Sequence, residues 1–273
     1  MLTKQIVEKS VIEIISPVSN SENIRALLDA GADAVYAGLK NRTWYNNAVE
    51  FSWEELILLA GIIHEKHKKL YIALNRNLST QDIEETMQYA ALLADKTFDA
   101  VILSDWGCID ALRNYSDKIE IHLSANALCI DYSTFDLAAE LGIQRIIFSP
   151  SFKIEEMQNV IKRYYKFEWE SIVCGSKCYN EVGACQCYVN NGNTHHKEIC
   201  RKKHYLCRNE EKLSAKPDSW GFPFLNAREV LTHYNLGINN WKIEGRDRNL
   251  AYLLNGIKDL KRTKDIMMQR ISN

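Results

Sequence analysis

Eight short runs rich in β-branched residues recur along the chain, each followed by a stretch with apolar residues at helical spacing. This alternation restricts the fold more than any other feature. The runs span residues 12–18, 34–38, 70–75, 100–105, 119–126, 145–150, 169–174 and 239–245. Between them, Leu56, Leu59, Ala60 and Ile63 make one apolar stripe, and Ile83, Met87, Ala90 and Ala94 a second. Leu250, Leu253, Leu254, Ile257 and Leu260 make a third near the end of the chain. Such stripes are expected to be core faces of helices. Ser52 and Thr80 are the expected N-caps of two of these helices.

Strands alternating with helices imply parallel β/α units. Eight of them, in a chain close to the typical barrel length of about 250 residues, predict a TIM-like (β/α)₈ barrel. A doubly wound open sheet is the alternative, but no G-x-G-x-x-G follows the first run. The expected organisation is a single domain over residues 1–273, interrupted by a Cys-rich insertion over 174–236 after the seventh strand. A loop that long in a compact domain usually carries function, and in a barrel it leaves from the C-terminal face.

Six of the 8 cysteines fall between positions 174 and 207. The N-terminus lacks the uninterrupted apolar segment of a signal peptide, and no apolar run is long enough to span a membrane. A cytoplasmic location with reduced thiols is therefore expected, which favours metal or redox chemistry over disulfides. Repeated Cys-x2-4-Cys pairs would suit zinc. Only Cys174-x3-Cys178 has such spacing, and the wider intervals suit an iron–sulfur cluster. His195 and His196 keep a mixed zinc site open as the alternative. Cys108 and Cys129, which stand apart, are expected to be buried core residues.

Lys+Arg (34) nearly balances Asp+Glu (35), so bulk charge supplies no pull toward nucleic acid or anionic membrane. A local basic run, Arg201-Lys202-Lys203-His204 with Tyr205, is the one RNA-compatible patch noted.

Three stretches resemble the peptidase U32 family, the collagenase-like proteases. They are I-S-P-V-S-N-S-E-N-I-R-A-L-L-D-A and G-A-D-A-V-Y-A-G near the start, and W-K-I-E-G-R (241–246) near the end. Cys178-x6-Cys185 with Cys200 resembles the family's cysteine framework. The resemblance implies a [4Fe-4S] protein on a TIM-barrel-like domain, acting as an O₂-independent hydroxylase of RNA bases or ubiquinone precursors, with prephenate as oxygen donor. It implies Cys178, Cys185 and Cys200 as ligands, with Cys207 chosen as the fourth and Cys174 and Cys187 in reserve. Two departures stand out: Cys200-x6-Cys207 is wider than the family's second pair, and Cys174 replaces a His. The chain lacks the extra C-terminal sequence of the RNA-modifying members, so a minimal module working with a second U32-family subunit is the form the resemblance implies.

In a barrel, residues at strand C-terminal ends face the site. The expected catalytic residues are Asn75, Asp105, His122 and Glu244, with Ser124 on the same strand face as His122. Tyr36, Arg76, Asn126 and Arg246 are the expected substrate-binding residues; Arg76 and Arg246 together would suit a dicarboxylate. The competing functions are a U32-type peptidase, in which a cysteine nucleophile would need a nearby base and Cys174 stands where the family often has His, and a zinc-stabilised RNA- or protein-binding module. No G-x-S-x-G or H-E-x-x-H supports the first of these.

Overall fold

The structure is a computed structural model and describes residues 11–43, 49–175, 205–208, 211–215 and 225–272. Eight parallel strands close into a barrel: β1 (Glu13–Pro17), β2 (Ala34–Leu39), β4 (Lys69–Leu74), β5 (Ala100–Leu103), β6 (Ile121–Leu123), β7 (Arg145–Ile147), β8 (Glu168–Cys174) and β11 (Asn240–Ile243). Closure comes from β1, which pairs with β11 on one side and β2 on the other. A two-residue strand, β3 (Glu50–Phe51), extends the C-terminal end of β2. All eight strand expectations correspond to barrel strands, although several run shorter at their C-terminal ends. After β6, for example, the Ser124 hydroxyl accepts the Asn126 N–H and turns the chain into a 3-10 turn, Ala125–Ala127.

The helices are α1 (Ile24–Ala30), α2 (Trp53–His64), α3 (Thr80–Met87), α4 (Ala90–Ala94), α5 (Trp106–Tyr115), α6 (Tyr132–Glu140), α7 (Ile154–Arg163), α8 (Ala227–Asn235) and α9 (Leu250–Ser272). Ser52 caps α2 as expected, in a reciprocal capping box with Glu55. Thr80 is not a cap. Ser79 takes that place, accepting the Asp82 N–H while the Asp82 carboxylate accepts the Ser79 N–H, so Thr80 becomes the first helical residue. The second apolar stripe divides between α3 and α4, because Tyr89 leaves helical geometry and stacks on Trp53 at 4.5 Å between centroids. An antiparallel hairpin, β9 (Tyr205–Arg208) and β10 (Glu211–Ala215), lies within the expected insertion.

Alternation along the strands sorts side chains into two sets. Ile14, Val35, Leu70, Val101, Ile121, Ile146 and Trp241 face outward and form the core with the helices. Ile15, Ala34, Tyr36, Tyr71, Ala73, Ala100, Ile102 and Ile147 fill the barrel. Cys108 and Cys129 are buried in the outer core as expected, and burial pushes both thiols up to about 12. Among the described residues no helix is long and apolar enough to cross a membrane.

Candidate active site at the C-terminal mouth of the barrel

The inward side chains change character along the barrel axis. At the N-terminal end they are charged. Arg145 reaches Glu13 at 2.8 Å, Glu168 at 2.7 Å and Glu170 at 3.3 Å, and Lys242 reaches Glu170 at 2.9 Å. Lys69 pairs with Glu13 at 2.9 Å, and the Tyr71 hydroxyl donates to the same carboxylate at 2.7 Å. Three carboxylates thus face three cations, and the charges cancel. Burial alone would raise the Glu13 carboxyl, but attraction to Arg145 and Lys69 holds it below the usual range.

His122, on the same inward face as Ser124 as expected, belongs to this lower assembly and not to the mouth. It sits in register with Arg145, the first residue of β7, and packs edge-on to Tyr71. Burial and the neighbouring Arg145 keep its imidazole well below the ordinary range, hence neutral. Its Nε2 meets Glu120 at 3.1 Å, while Nδ1 has no partner.

At the other end the inward series continues through Gly38, Asn75, Ser104, Ser124, Ser149 and Glu244. Here the two sequence stretches that lie furthest apart converge. Tyr36, near the end of β2, donates its hydroxyl to the Ile243 carbonyl on β11 at 3.2 Å, and its ring lies 4.4 Å from Lys242 Nζ. Burial pushes the Tyr36 phenol far above its ordinary range, so it remains a neutral donor. Gly245, at φ +129°, bends the chain sharply between Glu244 and Arg246, in a conformation that favours glycine.

Arg246 is 4 % exposed and lies directly over Gly38. A Cβ at Gly38 would stand 2.1 Å from Arg246 Nη1. The glycine ending A-V-Y-A-G is therefore the floor on which this guanidinium rests. Glu244 packs against Gly175 just as closely, since a Cβ there would be 2.7 Å from Glu244 Oε2. Its backbone N–H donates to the Cys174 carbonyl at 2.7 Å, which ties the end of β11 to the end of β8, where the cysteine-rich span begins.

The remaining expected residues divide. Asp105 spends both carboxylate oxygens on backbone, accepting from Cys108 N at 2.9 Å and Leu78 N at 3.0 Å; it caps α5 and anchors the loop after β4. Arg76 is turned to Asp82, at 3.0 Å, and Asp82 also pairs with Arg42 at 2.9 Å. The structure thus does not join Arg76 to Arg246 as one dicarboxylate clamp. Asn126 donates from Nδ2 to the Asn75 carbonyl at 2.8 Å, bridging the ends of β6 and β4.

Cys174, a reserve ligand, is a buried free thiol 3.5 Å from the Tyr252 hydroxyl. Burial pushes this thiol up to about 12. Cys207 lies on β9. Cys178, Cys185, Cys187 and Cys200, with His195, His196 and the basic run at 201–204, lie outside the described residues. Among the described residues no three metal-ligating side chains cluster.

Sequence reasoning missed Gly38 and Ser104, and it missed the lower charge network altogether. Gly38 was signalled by a glycine at a strand end. Glu13, Arg145, Glu170 and Lys242 were signalled by charges at one parity within otherwise apolar runs.

Comparison with known proteins adds three findings. A profile described as peptidase family U32 matches residues 19–272. tRNA hydroxylation protein P of Escherichia coli (strain K12) is 29 % identical over 173 residues, 63 % of this chain and 38 % of that protein. A 23S rRNA 5-hydroxycytidine synthase of the same organism is 24 % identical over 260 residues, 89 % of this chain and 38 % of that protein. The chain therefore spans well under two thirds of the length of these relatives. A solved U32 peptidase structure superposes with a TM-score of 0.58 at 13 % identity, covering 86 % of this chain and 92 % of that one, which establishes the common fold.

Proposed function

The chain belongs to peptidase family U32, and we propose that it is an iron–sulfur protein that hydroxylates a base in RNA without O₂, alone or as one subunit of a pair. One observation carries the reading. The β2 and β11 motifs meet at the barrel mouth, with Arg246 cradled over Gly38, immediately beside the end of β8 from which the cysteine-rich span departs. Two relatives whose names specify tRNA hydroxylation and rRNA 5-hydroxycytidine synthesis support the choice of reaction and substrate.

The donor set of the span fits a cluster: it is rich in thiols, the soft ligands iron–sulfur centres take. Cys178, Cys185, Cys200 and Cys207 would hold it, with Cys174 and Cys187 in reserve. A bound cluster would supply one-electron redox chemistry at the mouth.

The chain's own residues provide the binding half. Arg246 offers a bidentate fork to a carboxylate of an organic oxygen donor such as prephenate. Gly38 and Gly245 set the position of that fork, and Tyr36 fixes the β11 end through Ile243. Peptidase chemistry is disfavoured, because the sequence holds no G-x-S-x-G or H-E-x-x-H.

The test is anaerobic purification with iron, sulfide and zinc analysis, then incubation with unmodified RNA and the donor, reading hydroxylated nucleosides by mass spectrometry. Roughly four irons and four sulfides per chain are expected, with one added oxygen on a pyrimidine. One zinc and no visible absorbance would remove the chemistry. Arg246→Ala should raise the apparent donor KM with the iron content unchanged; unaltered donor affinity would sink the role given to this arginine.

A further inference from the structure

The mouth has a second feature, at the ends of β4 and β5 beside β2, where buried polar groups lack partners. Leu74 and Leu103 are paired in register, which places Asn75 of β4 beside Ser104 of β5, both continuing the inward series. Ser104 is 3 % exposed, and its Oγ has no hydrogen-bond partner. Asn75 Oδ1 and Arg76 Nε are likewise buried and unpartnered. The neighbouring inward serines differ: Ser124 Oγ accepts from Asn126 N, and Ser149 Oγ meets Ser151 Oγ at 2.9 Å. Unpaired buried polar atoms are rare and costly in folded proteins, and three at adjacent positions call for an explanation.

The chemistry of the three atoms defines what would complete them. Asn75 Oδ1 accepts, Arg76 Nε donates and Ser104 Oγ does either. The formal charges nearby are already spent: Arg76 and Arg42 face Asp82 and Glu85, and both Asp105 oxygens cap backbone. A carboxylate would set its lone pairs against Asn75 Oδ1. A neutral group carrying an N–H beside a C=O satisfies Asn75 Oδ1 and Ser104 Oγ, whereas Arg76, one position further on, takes the other parity and stays with Asp82.

We infer that Asn75 and Ser104 form a recognition subsite for a neutral heterocycle with an amide-type edge, the face of a nucleobase, while Arg246 takes the anionic partner. The inference rests on the reading of the mouth as the reaction site and adds which residues choose the base. Ser104 is the specificity residue, because its hydroxyl serves no other group. Asn75 supplies the acceptor, held in place by the bond from Asn126 to its carbonyl.

Ligand-observed NMR titration of the full chain tests this with three probes: uracil, 1,3-dimethyluracil, which keeps the carbonyls and has no N–H, and benzoate. Uracil should bind at least tenfold more tightly than dimethyluracil, since a site built to hydrogen-bond strongly rejects an analogue lacking the donor. Benzoate should not displace uracil. Ser104→Ala should weaken uracil on the order of tenfold with an unchanged circular dichroism spectrum. Asn75→Ala should abolish the preference, and Asn75→Asp, which keeps an acceptor, should retain it. Equal binding of the two uracils, displacement by benzoate, or unaltered affinity in Ser104→Ala overturns the subsite. The two readings fail separately. Uracil discrimination in protein that holds no iron sinks the cluster and leaves the subsite. RNA hydroxylation at unaltered kcat/KM in Ser104→Ala sinks the subsite and leaves the hydroxylase.

Discussion

The two ends of the barrel interior are built from the same strands and obey opposite rules. At the N-terminal end Glu13, Arg145, Glu170 and Lys242 are buried, yet each finds an opposite charge within 3.3 Å. At the C-terminal end Ser104 Oγ and Asn75 Oδ1 are neutral, buried and unpartnered. A satisfied network makes one arrangement of eight strands rigid, whereas unsatisfied groups leave recognition capacity for a ligand. This division matches the general behaviour of such barrels, in which one face serves stability and the other chemistry.

The comparison is broken most severely by Arg145→Ala. Removing this cation leaves Glu13 and Glu170 as buried carboxylates, and the expected cost is about 3–5 kcal/mol, visible as a large drop in the urea midpoint. A loss below 1 kcal/mol would show that the lower network is not the barrel's stabilising end.

Next in size is Gly38→Ala. The new methyl displaces Arg246, and hydroxylated nucleoside yield should fall on the order of 10²-fold, with a smaller change in melting temperature. A variant that melts early but retains full turnover would move Gly38 from the site to the scaffold.

The third prediction concerns pH. His122 is held neutral in the fold, so between its folded and unfolded pKa values the unfolded chain binds the extra proton, and stability falls as pH drops below about 6.5. Glu13, held below 4.5, adds a further loss at lower pH. In His122→Phe the melting temperature should fall less between pH 7 and 5 than in the wild type. It should not become flat, because His233 is also depressed and acts in the same direction.

The smallest expected effect sharpens the contrast. Ser104→Ala should change stability by no more than ~0.5 kcal/mol, because deleting an unpaired buried hydroxyl loses no hydrogen bond. A loss above 1 kcal/mol in chemical denaturation would reveal that the hydroxyl does structural work.

Much of this was legible before any fold was known. Runs such as A-V-Y-A-G and N-W-K-I mark strands because β-branched and aromatic residues bounded by glycine pack well on a pleated surface, and the helical stripes between them are periodic enough to read directly. The mouth residues Tyr36, Asn75, Glu244 and Arg246 were legible as strand ends. For His122, alternation revealed which face the side chain takes but not its height in the barrel; the shear of the strands sets that, and it brings His122 level with Arg145. The partners of Asp105 and Arg76, namely Cys108 N, Leu78 N and Asp82, were not legible, because they depend on how loops fold back over the strand ends.

By itself, then, the sequence determined the (β/α)₈ alternation, the inward parity of each strand and the clustering of thiols between β8 and β11, because all three are periodic or local properties of a chain. Only the tertiary structure decided that Gly38 lies under Arg246, that the four buried charges Glu13, Arg145, Glu170 and Lys242 pair with one another, and that Asn75 Oδ1 and Ser104 Oγ stand on neighbouring strands without partners. These depend on contacts between positions far apart in sequence, whose register is fixed only when the eighth strand closes against the first.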